Sequence, residues 1–180
     1  MKKWITRKYE KGLESFVFTH FRALRSNSEE TKEGYFDVLE TRNWINIIAL
    51  DEQDRFVLVK QYRHGIDDLT LEGPAGVVEE GEDPLDTAKR ELLEETGYSS
   101  DKWTTLGRVS ANPAFMNNYC SIFLAENCKK TSGQNLDPFE EIDVVLKSKA
   151  ELKKLIESQE VDHCLFISAL GLYQIKGFSF

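Results

Sequence analysis

The sequence predicts an α/β protein, a mixed β-sheet covered by helices. Three observations support this. Short segments in the first third of the chain alternate apolar and polar residues. One later segment carries a full set of helix start and stop signals. Strand-like and helix-like segments then interleave to the C-terminus. Residues 14–23 (ESFVFTHFRA) and 35–41 (YFDVLET) alternate as strands do, and the polar SNSEETKEG between them, ending in Gly34, reads as a loop. The segments 44–50 (WINIIAL) and 55–62 (RFVLVKQY) flank the turn Asp51-Glu52-Gln53-Asp54, giving a hairpin with one well-buried face. Residues 73–81, with Gly73, Pro74, Gly76 and Gly81, are loop-rich around the apolar pair Val77-Val78. A helix over 84–97 follows, with Asp83 as N-cap, Pro84 at the first helical position and Gly97 at the exit. Strands are expected at 104–110, 119–125 and 142–147, and helices at 148–158 and 161–175.

Composition limits the function. At 180 residues the chain is one domain or a domain with an arm, and its 41% apolar and 30% charged residues are ordinary for a globular protein. The net charge is −8 and the pI near 5.0, so the surface field repels phosphate backbones and argues against nucleic-acid or anionic-membrane partners. A phosphate-bearing substrate would need a cation between it and the protein. Cys120, Cys128 and Cys164 are odd in number, widely spaced and without a CxxC, as expected of reduced thiols in a cytoplasmic protein. The charged start MKKWITRKYEKGLESF holds no apolar stretch of signal-peptide length, and no apolar run approaches the ~20 residues that cross a bilayer.

The segment 84–97, PLDTAKRELLEETG, carries the chemistry. Glu91, Glu94 and Glu95 stand at i, i+3 and i+4 and project from one helical face. Like charges at that spacing oppose a helix by about 0.2–0.5 kcal/mol per pair, and the C-terminal half of the helix dipole disfavours anions as well. Selection for helix stability alone would not place them there, whereas a bound divalent cation reverses the sign of the repulsion. The alternative is a solvated acidic face. On a helical wheel Leu85, Ala88 and Leu92 form the apolar stripe, and Glu91 and Glu95 flank it, at the rim of the buried face where a cleft would be.

Gly76, five residues, Glu82, seven more, then Arg90-Glu91-Leu92-x-Glu94-Glu95-x-Gly97-Tyr98 reproduces G-x5-E-x7-R-E-U-x-E-E-x-G-U, with U a bulky apolar residue. This is the Nudix box, and the chain resembles the Nudix hydrolases. With all seven fixed positions matched, a chance occurrence in a chain this long is on the order of one in a million. Only Tyr98, aromatic where an aliphatic residue is usual, departs from the pattern. The resemblance implies the Nudix fold, a mixed sheet sandwiched between helices (α/β/α) with an N-terminal β arm. It implies Glu91 and Glu95 as direct ligands of Mg²⁺, with Mn²⁺ a substitute, assisted by Glu94, Glu140 and the carbonyl of Ala75. Such hard oxygen donors suit these ions. In this reading Gly76 permits a tight turn that aims the Ala75 carbonyl, and Arg90 pairs with Glu82 or Glu94 to hold the carboxylates in position.

Flanking residues point to a branch. Gln61-Tyr62-Arg63 and Leu71-Glu72-Gly73-Pro74-Ala75-Gly76 are similar to the "QYR…E-x-P-A-G" run of ADP-ribose and nucleoside-diphosphate-sugar pyrophosphatases, and Pro113 lies close to where that branch carries a proline. The branch implies water attack on one phosphorus of a pyrophosphate, giving a nucleoside monophosphate and a sugar phosphate. Arg63 is expected at a phosphate or, alternatively, in a surface ion pair with Glu72 or Asp67. Trp44 is placed to stack on a base or to pack in the sheet, and Arg42 and Asn43 to bond base or phosphate. Residues 1–42 are expected as an N-terminal arm that exchanges strands in a homodimer, and 43–180 as the Nudix domain. For the proton acceptor, the loop Asn135-Leu136-Asp137-Pro138-Phe139-Glu140-Glu141 offers Glu140 and Glu141, with Glu94 and Arg90 in the catalytic group; Pro138, where some relatives carry the base, cannot move a proton. His20, His64 and His163 show no ligand spacing. The expected substrate is a small nucleotide sugar, with no nucleic-acid or membrane partner. A Nudix hydrolase of another substrate, such as a dinucleoside polyphosphate, and a non-catalytic nucleotide-sugar sensor are the alternatives.

Overall fold

The computed structural model describes residues 2–179 and resolves into two units. The first comprises the chain up to Asn43 together with Ser110–Tyr119. Its core is an antiparallel three-stranded sheet, β1 (Ile5–Glu14), β2 (Thr19–Ser26) and β3 (Glu33–Glu40), in that order. The strand expected over 14–23 is corrected here. It straddles a turn in which Ser15 N–H donates to the Phe18 carbonyl at 2.9 Å, and a whole strand precedes it. The sequence of β1, ITRKYEKGLE, is half charged, and every residue but Glu10 is exposed. With no buried face it has no hydrophobic alternation to betray it. The later segment joins through Leu39, whose N–H donates to the Phe115 carbonyl at 2.7 Å.

The second unit spans Trp44–Val109 and Cys120–Phe180. Its sheet runs β11 (Ile142–Lys147), β5 (Phe56–Arg63), β4 (Trp44–Asp51), β10 (Tyr119–Lys130), β8 (Tyr98–Ser99). β6 (Asp68–Glu72) pairs with β5, β7 (Ala75–Val77) with β4, and β9 (Lys102–Ser110) with β10. The β4–β10 pairing is parallel and the β4–β5 pairing antiparallel, so the sheet is mixed. β4 is buried from Ile45 to Asp51, on both faces and not on one as the hairpin reading expects. The reason is layering. Ile45, Ile47 and Ala49 pack with Ala88 and Leu92 of α1 (Pro84–Thr96), while Ile48 and Leu50 pack with Phe166, Ala169, Leu170 and Tyr173 of α3 (Cys164–Ile175) and Leu152 of α2 (Lys149–Glu157). β4 and β5 meet only at Leu50↔Phe56, beside a turn in which Asp51 accepts from the amides of Gln53 and Arg55 at 2.9 Å each. Beyond that point β5 pairs with β6 and β4 with β7, and the divergence opens the end of the sheet where the carboxylates gather. Segment 73–81 is thus not all loop.

Candidate active site

The helix signals act together. The Asp83 carboxylate accepts from Leu85 N–H at 2.8 Å, Pro84 begins the helix, and Gly97 ends it at φ 73°. Thirteen residues run between these caps, and the anchoring of Ala88 and Leu92 under β4 fixes which way the glutamates face. Glu95 is 3% exposed, and its Oε2 accepts from Ala75 N–H on β7 at 3.0 Å. Glu91 lies one turn earlier with 14% of its side chain exposed. Gly76, paired with Ile45, faces it: a Cβ there would overlap Glu91 Cγ, Cδ and Oε1, the farthest of them 2.5 Å away. This corrects the tight-turn reading. Gly76 sits in a strand, outside the left-handed region, and is glycine because the Glu91 carboxylate occupies the space of its side chain.

Arg90 gathers the remaining acids. Its Nε and Nη2 donate to Glu82 at 3.1 Å each, and Nη1 donates to Glu91 at 2.8 Å and Glu94 at 2.9 Å. The Arg90 hydrogen bonds hold the Glu82 carboxyl down at about 2. Burial pushes Glu91 the other way, up to about 7, against the pull of Arg90 and with the help of Glu94 and Glu140. Burial also drives Glu95 well above the usual carboxylate range, opposed by the Ala75 amide and reinforced by Glu91 and Glu140.

Two neighbouring carboxylates set in low dielectric are stable as anions only beside a cation. All the side chains offered are hard oxygen donors, so the residues fit an ion of the Mg²⁺ or Mn²⁺ kind. Among the described residues no three His, Cys, Asp or Glu side chains already converge as a cage. Arg90 holds one Glu91 oxygen instead.

Arg63 ends β5, where the charges of Glu95 and Glu140 act on it. Its Nε and Nη2 donate to the two Glu72 oxygens at 2.8 and 2.7 Å. Of the two partners expected, Glu72 and Asp67, the structure selects Glu72, and the pair is no surface pair: Glu72 is 0% exposed. Thr70 Oγ1 donates to it at 2.7 Å, and His163 Nδ1 lies 3.2 Å from its other oxygen. Burial pushes Glu72 up, but Arg63, His163 and Thr70 together bring it net below the ordinary value. Sequence reasoning missed His163. It lies 91 positions from Glu72, a separation that no local spacing could reveal.

Glu140 and Glu141 are exposed on the loop before β11. The charge of Glu140 acts on Glu91, Glu95 and Arg63. Pro138 occupies the turn between Asp137 and Glu140, whose carboxylate accepts from Asp137 N–H at 3.1 Å. Trp44 packs, half-buried, with the α3 cluster on the sheet face opposite α1. Arg42 and Pro113 are exposed residues of the first unit, and the Arg42 carbonyl accepts from Asn118 Nδ2 at 3.0 Å.

A helix of acids backed by a strand, in a mixed sheet between helical layers, offers a site suited to a divalent cation. Comparison with known proteins names the family. The NUDIX domain model matches residues 40–163, and the chain belongs to that family: it is a Nudix hydrolase. It is 33% identical to an ADP-ribose pyrophosphatase of Bacillus subtilis over 133 residues, covering 73% of this chain and 72% of that one. It is 30% identical to the methanol dehydrogenase activator of Bacillus methanolicus over the same fractions of the two chains. A crystal structure of an ADP compounds hydrolase superposes with a TM-score of 0.86, covering 99% of this chain and 98% of that chain at 23% identity, which establishes the fold. No helix among the described residues is long and apolar enough to cross a membrane.

Proposed function

We propose that the protein hydrolyses the pyrophosphate bond of nucleoside diphosphate sugars of the ADP-ribose type, with Mg²⁺, to a nucleoside monophosphate and a sugar phosphate. The observation that carries this reading is the Glu91–Glu95 pair against β7, Glu95 buried and Glu91 nearly so, with Arg63 in the field of Glu95. Its similarity to the Bacillus subtilis ADP-ribose pyrophosphatase supports the substrate class. Glu91 and Glu95 would hold the cation, with Glu94, Glu140 and the backbone at Ala75 beside them. When bound, the ion neutralises negative charge on the phosphate oxygens and makes water a better nucleophile. Arg63, fixed by Glu72, binds a phosphate oxygen and orients the diphosphate. Arg90 keeps Glu91 and Glu94 in place. The water oxygen forms a bond to one phosphorus, the bridging P–O bond breaks, and the leaving phosphate departs as an anion. The water proton passes to a carboxylate at the cluster, for which Glu94, Glu140 and Glu141 are the candidates.

The same reading treats residues 1–42 as an arm that joins two copies. Its sheet leaves Tyr9 and Phe36, which share a face through the register Tyr9↔Ala23↔Phe36, more than a third exposed, an apolar patch of the kind that marks an interface. Light scattering on the full chain tests this, and a monomer at micromolar concentration refutes it.

The activity test is incubation with Mg²⁺ and a panel of ADP-ribose, ADP-glucose, GDP-mannose, UDP-glucose and diadenosine polyphosphates, with products identified by phosphorus NMR. Cleavage of the nucleotide sugars to two monophosphates is expected. Exclusive cleavage of the diadenosine compounds would replace the substrate class. Binding without cleavage would make the protein a sensor.

A further inference from the structure

We infer that Gln134 is a positioning residue, tying the loop that bears Glu140 to the end of the carboxylate helix. The inference rests on the role proposed above for Glu140. The last carbonyls of a helix lack partners within it, and α1 has no basic side chain in its last turn to serve them. The loop between β10 and β11 serves them instead. Asn135 N–H donates to the Glu94 carbonyl at 2.9 Å, and the amides of Thr131 and Ser132 donate to the Gly97 carbonyl at 2.8 and 3.2 Å. Gln134 adds a side-chain link. Its Nε2 donates to the Glu95 carbonyl at 2.7 Å and to the Ile142 carbonyl at 2.9 Å.

One amide nitrogen with two N–H bonds therefore joins the backbone of Glu95, on the helix, to the first residue of β11, where the loop ends. The residue is solvent-exposed, so these two bonds are what hold its amide. The loop tip beyond the clamp has little other anchorage. Phe139 is 98% exposed, and among the described residues Glu140 hydrogen-bonds within its own turn, to Asp137. The position of Glu140 relative to Glu91 and Glu95 thus depends on the root of the loop, and Gln134 spans that root. The side chain touches no carboxylate of the cluster in these bonds. It acts through the loop that carries Glu140, which it anchors to the helix backbone at Glu95.

Gln134→Leu keeps the bulk and removes both donors. It is expected to lower kcat about tenfold or more and to raise the Mg²⁺ concentration for half-activation about tenfold, the range found when a supporting contact to a ligand is removed. KM for the nucleotide should stay within about threefold, since Gln134 does not meet substrate. In a Glu140→Gln background the same substitution should add almost nothing, because its effect passes through Glu140. Hydrogen exchange of the metal-free protein gives a readout independent of turnover: the Asn135 amide should exchange about tenfold faster in Gln134→Leu. Gln134→Lys retains N–H donors at a helix C-terminus and should keep the Asn135 amide protected, which decides the matter should the leucine variant fold poorly. Unchanged exchange in Gln134→Leu, equal loss of protection in both variants, or losses that multiply with Glu140→Gln would overturn the inference. Wild-type turnover of Glu140→Gln alone would instead sink the role of Glu140, while the exchange measurement still decides whether Gln134 clamps the loop.

Discussion

Replacing Gly76 with alanine separates catalysis from stability more sharply than removing a glutamate does. A Cβ at this position overlaps three atoms of the Glu91 side chain, none farther than 2.5 Å, where ordinary contact begins at 3.4 Å. Glu91 must therefore retreat by roughly 1 Å or more. Its outer atoms belong to a flexible side chain at the rim of the core, so the fold can absorb the shift. A displacement of that size at a ligand or catalytic group costs about 100-fold in rate, or about 2.7 kcal/mol of barrier. Gly73→Ala is the control. A Cβ there overlaps the Ile47 carbonyl and lies 2.9 Å from Phe166 Cδ2 and Cε2, backbone and core atoms that cannot step aside. Overpacking of this kind costs about 1–3 kcal/mol, or several degrees in Tm for a chain of this size. Turnover of ADP-ribose with Mg²⁺, followed by phosphorus NMR, and Tm by calorimetry measure both. Gly76→Ala should lose turnover with a nearly native Tm, and Gly73→Ala should lose Tm. Native turnover in Gly76→Ala, or a larger drop in Tm than in Gly73→Ala, would refute the assignment of that space to a functional Glu91.

Glu91→Gln and Glu95→Gln should each lower turnover at least ~100-fold, by about 2.7 kcal/mol of lost transition-state stabilisation, without lowering the Tm of the metal-free protein, because each removes a buried carboxylate that burial disfavours; turnover like the wild type in both would reject the site. Chelation by EDTA should abolish hydrolysis, and Mg²⁺ at about 100 times its Kd should stabilise the protein by about 2.7 kcal/mol, seen as a concentration-dependent rise in Tm; hydrolysis that persists in EDTA would count against the cation. Glu72 sets an acid limb. Its carboxyl is held below the ordinary value of 4.5, so its contribution to stability is complete above that value and fades as pH falls through the lower folded-state value. Urea unfolding between pH 3 and 7 should show that fall in the wild type and a shallower one in Glu72→Gln; identical slopes would mean that the Arg63–Glu72 pair contributes nothing.

The sequence by itself determined the elements whose signals are local. Asp83, Pro84 and Gly97 set the limits of α1 because caps act over a few bonds, and the i, i+3, i+4 spacing of Glu91, Glu94 and Glu95 put them on one face because helix geometry is fixed. The interleaving of strands and helices likewise gave the layers. Only the tertiary structure decided where those glutamates went. β7 arrives from across the sheet to bury Glu95 under the Ala75 amide and to leave the Gly76 position to Glu91. His163 meets Glu72, and Gln134 meets Glu95, across separations in sequence that carry no periodicity. β1 escaped detection because a strand with no buried face has no hydrophobic pattern. Periodicity and capping report what a residue does to its neighbours along the chain, whereas burial, and with it the fate of a buried charge, depends on which distant segment comes to cover it.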